Sequence, residues 1–331
     1  MQGTLAGKVA DMLDRSKQLS HEEGLRLLEC SPGEYLPVVC HPARDRRPDR
    51  VVWMNVEGVA FERPFQMEDL LRTEASRTWF VTGWPAGRPS DEVDRPRFGG
   101  LIFHVARCGS TLAGRMLRAV PDLMVHSEPG IVNLALELPS RSLGGILSAY
   151  QDVAQHRRQR ALIKCTSSNL FHSERILESA GNAPALFIHR TPGEVLASLH
   201  GQSWHDRLPE SMRDLEGPID PDEGNGRFLE ALMRSGLRLA EAGQVRCVEY
   251  PDLIERLVDG DLPEYFGYQV DSTLRERMLA TASAYSKQPE TSFRSDTDRK
   301  ARIVAEVPAI GREAARLKPL YEALRGWSSH R

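Results

Sequence analysis

The chain has 331 residues, 40% of them hydrophobic and 27% charged, with a formal net charge of −3. That suits a globular protein with a sizeable core, built as one large domain or two modest ones. The near-neutral balance argues against general nucleic-acid binding but is compatible with a local basic pocket for a small anion. Cys30, Cys40, Cys108, Cys165 and Cys247 are scattered, with no CxxC pair and no metal-ligand spacing. This pattern points to a reducing, cytoplasmic setting, with Cys165 and Cys247 as buried thiols inside apolar runs. No segment approaches a membrane span, and the N-terminal stretch lacks the apolar core of a leader, so no membrane partner is expected.

Residues 3–29 read as one helix or two, with Leu5, Val9, Met12, Leu13, Leu25, Leu27 and Leu28 as apolar positions. Residues 41–50 form a loop rich in proline and arginine. Residues 51–65 (VVWMNVEGVAFERPF) read as a hairpin turning near Glu57-Gly58, and 77–84 as a further strand. Residues 84–98 combine prolines and charges as a linker would. A small α+β N-terminal region over 1–95 and a second domain over 96–331 are therefore expected.

From residue 99 the pattern changes. Short apolar runs (LIFHVA, LMVHS, ALIKC, ALFIH and VRCVE) alternate with helical stretches. Such runs are typical of strands buried on both faces of a parallel sheet and joined by helices, an α/β architecture. Residues 288–300 read as a mobile segment before a charged helical C-terminus.

Four motifs carry chemistry. In GLIFHVARCGSTLAGRMLRA (100–119) a strand runs into a glycine turn and then a helix, which is either the arrangement that cradles phosphate or a plain strand-to-helix turn. The N–H groups of Gly109, Ser110, Thr111 and Leu112 are expected to precede any partner inside the helix. Arg107 adds a positive charge. The loop lacks the lysine that a Walker A motif places before its hydroxyl residue, which disfavours an ATP or GTP phosphotransferase. In HRTPGEVLASL (189–199) Arg190 ends a strand, Thr191 is a good N-cap, Pro192 suits the first helical position and Glu194 would complete a capping box. Arg190 and Ser198 could share one anion along that helix, or Arg190 could be a surface residue beside a well-capped helix. Glu128 in EPGIVN (128–133) sits at a strand's carboxyl end, where α/β sheets bind ligands, and reads equally as a general base or a helix-start carboxylate. In IKCTSSN (163–169) Lys164 could neutralise a leaving oxygen, or snorkel at a sheet edge.

Together these motifs resemble the sulfotransferases that use PAPS (3′-phosphoadenosine 5′-phosphosulfate). RCGSTL (107–112) is similar to their 5′-phosphosulfate loop. HRTPGEVLASL is similar to their 3′-phosphate motif, with Arg190 and Ser198 eight positions apart. VEYPDL (248–253) resembles a later strand-end signature of tyrosine, acidic residue and leucine. The resemblance covers roughly 99–255 and extends weakly to the N-terminal region, which is similar to an extension in some bacterial members.

It implies a three-layer P-loop-type domain with a central parallel sheet flanked by helices. It also implies sulfuryl transfer from PAPS, with PAP as product and no metal, to a hydroxyl or amine of a small-molecule or carrier-bound acceptor. Arg107, Cys108, Gly109, Ser110, Thr111 and Leu112 would then hold the 5′-phosphosulfate. Arg190 and Ser198 would hold the 3′-phosphate, with Arg299-Lys300 or Lys287 as a further contact. The family's cytosolic members carry a histidine two residues after a strand-end lysine; here Lys164 is followed by Cys165 and Thr166. Members acting on carbohydrate or tyrosine use a glutamate instead, a role that falls to Glu128, with His172 as a substitute. Arg107, with Lys164, would stabilise the leaving phosphate. Rival readings are a P-loop nucleotide kinase and a non-catalytic nucleotide-binding scaffold. Trp53, Trp84, Trp204, His205 and Tyr250 could line an acceptor pocket or pack a core.

Overall fold

The structure is a computed structural model that describes residues 5–41, 50–72, 77–83, 98–136, 140–213, 220–284 and 297–329. The expected loop over 41–50, the linker over 84–98 with Trp84, and Lys287 with most of 288–300 lie largely or wholly outside them. In chain order the elements begin with α1 (Leu5–Asp14), β1 (Lys17–Gln18), α2 (His21–Cys30), β2 (Tyr35–His41), β3 (Arg50–Asn55), α3 (Gln66–Arg72) and β4 (Thr78–Gly83). Then follow β5 (Gly100–His104), α4 (Ser110–Leu117), β6 (Leu123–Ser127), α5 (Gly130–Ala135), α6 (Ser140–His156), β7 (Arg160–Lys164), α7 (Ser173–Ser179), β8 (Ala185–His189) and α8 (Pro192–Leu199). The chain ends with α9 (Pro221–Glu241), β9 (Arg246–Glu249), α10 (Leu253–Val258), α11 (Leu262–Phe266), α12 (Ser272–Ser283), α13 (Thr297–Glu306) and α14 (Pro308–Ser329). All five apolar runs expected after residue 99 are strands, β5 to β9.

The chain forms two compact units, one of Met1–Gly99, Pro121–Ile163 and Glu174–Ala183, the other of Gly100–Val120, Lys164–Ser173 and Pro184–Arg331. In the first, four strands lie in the order β1-β4-β3-β2. β3 pairs antiparallel with both β2 and β4, and β1 pairs parallel with β4. Phe80 anchors this sheet: Tyr35 packs on it at 5.2 Å and Trp53 stacks on it at 6.4 Å. A Cβ on Gly24 would sit 2.3 Å from the same ring, so only glycine lets α2 approach so closely.

The hairpin expected over 51–65 does not form. The turn is present, with Gly58 at φ +70°, but both edges of β3 are already taken, by β2 and β4. Guanidinium groups take carbonyls of the connecting loop instead. Arg77 donates to Asn55 O at 3.0 Å and Glu57 O at 3.1 Å. Arg157 donates to Val56 O and Val59 O, each at 2.7 Å.

In the second unit, β5, β8 and β9 lie side by side and parallel. Every residue of β5 and β8 is buried, as both faces of a covered parallel sheet require. One face of β8 meets α9 and α14. A Cβ on Gly236 would lie 2.1 Å from the Phe187 ring, and His189 Nε2 is 2.7 Å from Ser328 Oγ. Helices α4, α10 and α12 pack on one another as a separate group. Helix α14 is further held to β9 through Glu249, whose carboxylate accepts from Tyr321 Oη and, at 3.0 Å, from Arg325 Nε. Among the described residues no helix is long and apolar enough to cross a membrane.

Candidate functional site

Register brings the second unit's motifs to one edge. His104 pairs with Ile188, and His189 with Glu249. The residues just beyond these pairs are the 105–109 loop, Arg190 and Tyr250. A fourth strand end joins them: Cys165 N donates to Ile102 O at 3.0 Å, and a His104 ring nitrogen lies 2.9 Å from Cys165 O. Lys164 is therefore beside the loop, and it is fully buried, which excludes the snorkelling alternative.

The loop has an unusual backbone. Arg107 adopts φ +59° and Gly109 φ +91°. A positive φ costs a non-glycine residue conformational energy, and successive turns of this kind gather N–H groups into an anion-binding concavity. Gly109 is the N-cap of α4, and a Cβ there would fall 2.3 Å from the Tyr250 ring. Both its φ and its neighbour thus require glycine. Arg107 is exposed, while Cys108 and Ser110 are buried. Leu112 departs from expectation. Its N–H donates to Gly109 O at 2.9 Å, closing the first turn, so it is not an open donor.

Burial pushes the Cys108 thiol up to about 12, partly offset by the N–H groups of Ser110 and Cys108 and by the positive fields of Lys164 and Arg190. Loop, Lys164 and Arg190 thus share one electrostatic neighbourhood. Tyr250 joins them physically. One part of its ring lies against Gly109, and the Arg190 guanidinium carbon stands 4.2 Å from its centroid. Strand-end signature, glycine loop and Arg190 therefore meet at a single aromatic ring.

Helix α8 begins with Thr191 as N-cap and Pro192 at its first position, as expected, but Thr191 makes no side-chain cap bond. Its hydroxyl donates to Glu194 Oε2 at 2.5 Å, and Glu194 Oε1 accepts from Arg190. The carboxylate has turned from the helix cap to the cation. Arg190 is only 12% exposed and so is no free surface residue. Ser198 Oγ donates to Glu194 O at 2.9 Å, a bond within the helix that its hydroxyl must exchange to serve a ligand. Of the pair on α13, Lys300 is buried and acts electrostatically on Glu194, whereas Arg299 is exposed.

Glu128 belongs to the first unit. It follows β6, precedes Pro129 and holds φ +49°. A residue before proline is ordinarily driven to extended backbone, so this conformation is strained. His172 is exposed at the end of a short 3₁₀ stretch, 167–172. Trp53 is core, donating to Thr82 Oγ1 at 2.9 Å. Trp204 packs on Phe228 at 5.9 Å and carries Arg207 at 3.9 Å. Sequence patterns alone do not reveal the role of Glu194, because TPGE matches an ordinary capping box.

Solved sulfotransferases are similar to this chain. The sulfotransferase domain from the Synechococcus PCC 7002 olefin synthase is 16% identical over 70% of this chain and 98% of its own, at a TM-score of 0.42. That of the curacin biosynthetic pathway is 14% identical over 68% and 98%, at 0.42. A sulfotransferase from Alicyclobacillus acidocaldarius is 17% identical over 70% and 99%, at 0.39. No protein-family model and no curated protein matches the chain.

Proposed function

We propose that the chain is a PAPS-dependent sulfotransferase acting on a hydroxyl or amine of a small-molecule or carrier-bound acceptor, with residues 1–95 as an N-terminal extension. The observation that carries this reading is the Tyr250 ring lying against both Gly109 and Arg190. It joins two motifs, whose Gly109 and Arg190 are 81 positions apart, that each suit one anionic end of the same donor.

The residues present fit that donor. When bound, PAPS supplies the sulfuryl group and departs as PAP. Arg107, Cys108, Gly109, Ser110 and Thr111 would hold its 5′ end through backbone N–H groups, hydroxyls and one guanidinium. Arg190 and Ser198, with Lys300, would hold the 3′-phosphate. Arg107 and Lys164 would stabilise the charge growing on the leaving phosphate oxygen. Glu128 would take the proton that the acceptor loses. The strained backbone at Arg107 and Glu128 supports these assignments, since such strain gathers at functional sites.

The test is PAPS turnover by the full chain against a panel of alcohols and amines, with PAP read by chromatography. Acceptor-dependent PAP release without ATP is expected. Release at one rate with and without every acceptor would contradict transfer.

A further inference from the structure

Glu194 is absorbed neither by the helix cap nor by the donor contacts assigned above. Both of its carboxylate oxygens are engaged, Oε1 by Arg190 and Oε2 by Thr191 Oγ1. Burial would raise its pKa, but the bonds from Arg190 and Thr191 and the fields of Arg190 and Lys300 outweigh burial and hold it below the ordinary carboxylate range. It therefore stays charged where two cations converge. Arg190 immediately precedes the N-cap of α8, where the helix dipole disfavours positive charge, and an anion in the first turn offsets this.

The consequence is geometric. A guanidinium is a planar fork whose value in phosphate recognition depends on orientation. Tyr250 fixes the face of the Arg190 plane and Glu194 fixes one edge. Two contacts in different directions leave a long side chain little rotational choice. We infer that Glu194 is a positioning residue that orients Arg190, so that the site distinguishes a 3′-phosphorylated nucleotide from one lacking that phosphate. This rests on the PAPS reading above.

The experiment is calorimetry of the full chain with PAP and with AMP, in wild type, Arg190→Ala, Glu194→Gln and the double variant. Glu194→Gln is expected to cut the preference for PAP over AMP about tenfold, the lower end of what one charge-assisted hydrogen bond carries, with AMP affinity unchanged. In the Arg190→Ala background the same change should have no further effect, because a residue acting through Arg190 has nothing left to orient. A wild type with no preference for PAP defeats the PAPS reading, and this inference with it. If wild type and Arg190→Ala behave as expected, three results overturn the inference alone: preference retained in Glu194→Gln, PAP bound more tightly, or an undiminished loss in the double variant. Should Glu194→Gln fail to fold, Glu194→Asp keeps the charge but withdraws it by one methylene. A partial loss of preference is then expected, and an unchanged preference overturns the inference.

Discussion

Replacing Arg190 with alanine is expected to weaken PAP binding by roughly 10–100-fold, the equivalent of the ~1.5–3 kcal/mol that one charged hydrogen bond carries. AMP, which lacks the 3′-phosphate, should change little. The guanidinium sits on Tyr250 and is held by Glu194, so it meets a ligand already ordered. That limits the entropy lost on binding and places the expected loss towards the upper part of the range. Calorimetry with both nucleotides checks it, and an equal loss for both would remove the 3′-phosphate role.

Glu128→Gln is expected to lower turnover by roughly 10²–10⁴-fold, the usual contribution of a positioned general base, while PAP affinity stays near wild type. Glutamine preserves shape and removes only the basic oxygen, so the strained backbone before Pro129 is kept. Steady-state kinetics with a saturating acceptor, beside PAP calorimetry on the same variant, separates the two effects. Unchanged turnover would move the base elsewhere, with His172 the next residue to vary.

Much of the architecture was legible because buried parallel strands are short, continuous apolar runs. LMVHS and ALFIH became β6 and β8 without a shifted residue. Partners were not legible. The run 51–55 is a strand, but its neighbours come from 35–41 and 78–83, and period-two alternation does not say which strand lies alongside. The strand, glycine turn and helix over 100–117 could be read from residue types, and the glycine proved necessary twice over, for φ and for the Tyr250 contact. Local signals failed where a group took a different partner close by in sequence. Glu194 fits a capping box in sequence, yet a neighbouring cation draws its carboxylate away. The Leu112 N–H counted among the open donors closes the first turn on Gly109 instead. Tyr250 could be named from its signature, but only the register of β8 and β9 brings its ring between loop and arginine.

In the proposed function, one site is built for a nucleotide with a 3′-phosphate and a 5′-phosphosulfate, not for a triphosphate. Parallel titrations of the full chain with PAP and with ATP test it most directly. The loop has no lysine for terminal phosphates, whereas Arg190 is held by Glu194 in the first turn of α8, within the field of Lys300. PAP is therefore expected to bind at least tenfold more tightly than ATP, the preference that one well-made charged contact sustains (about 1.5 kcal/mol). Binding of ATP with no measurable binding of PAP would contradict the PAPS reading.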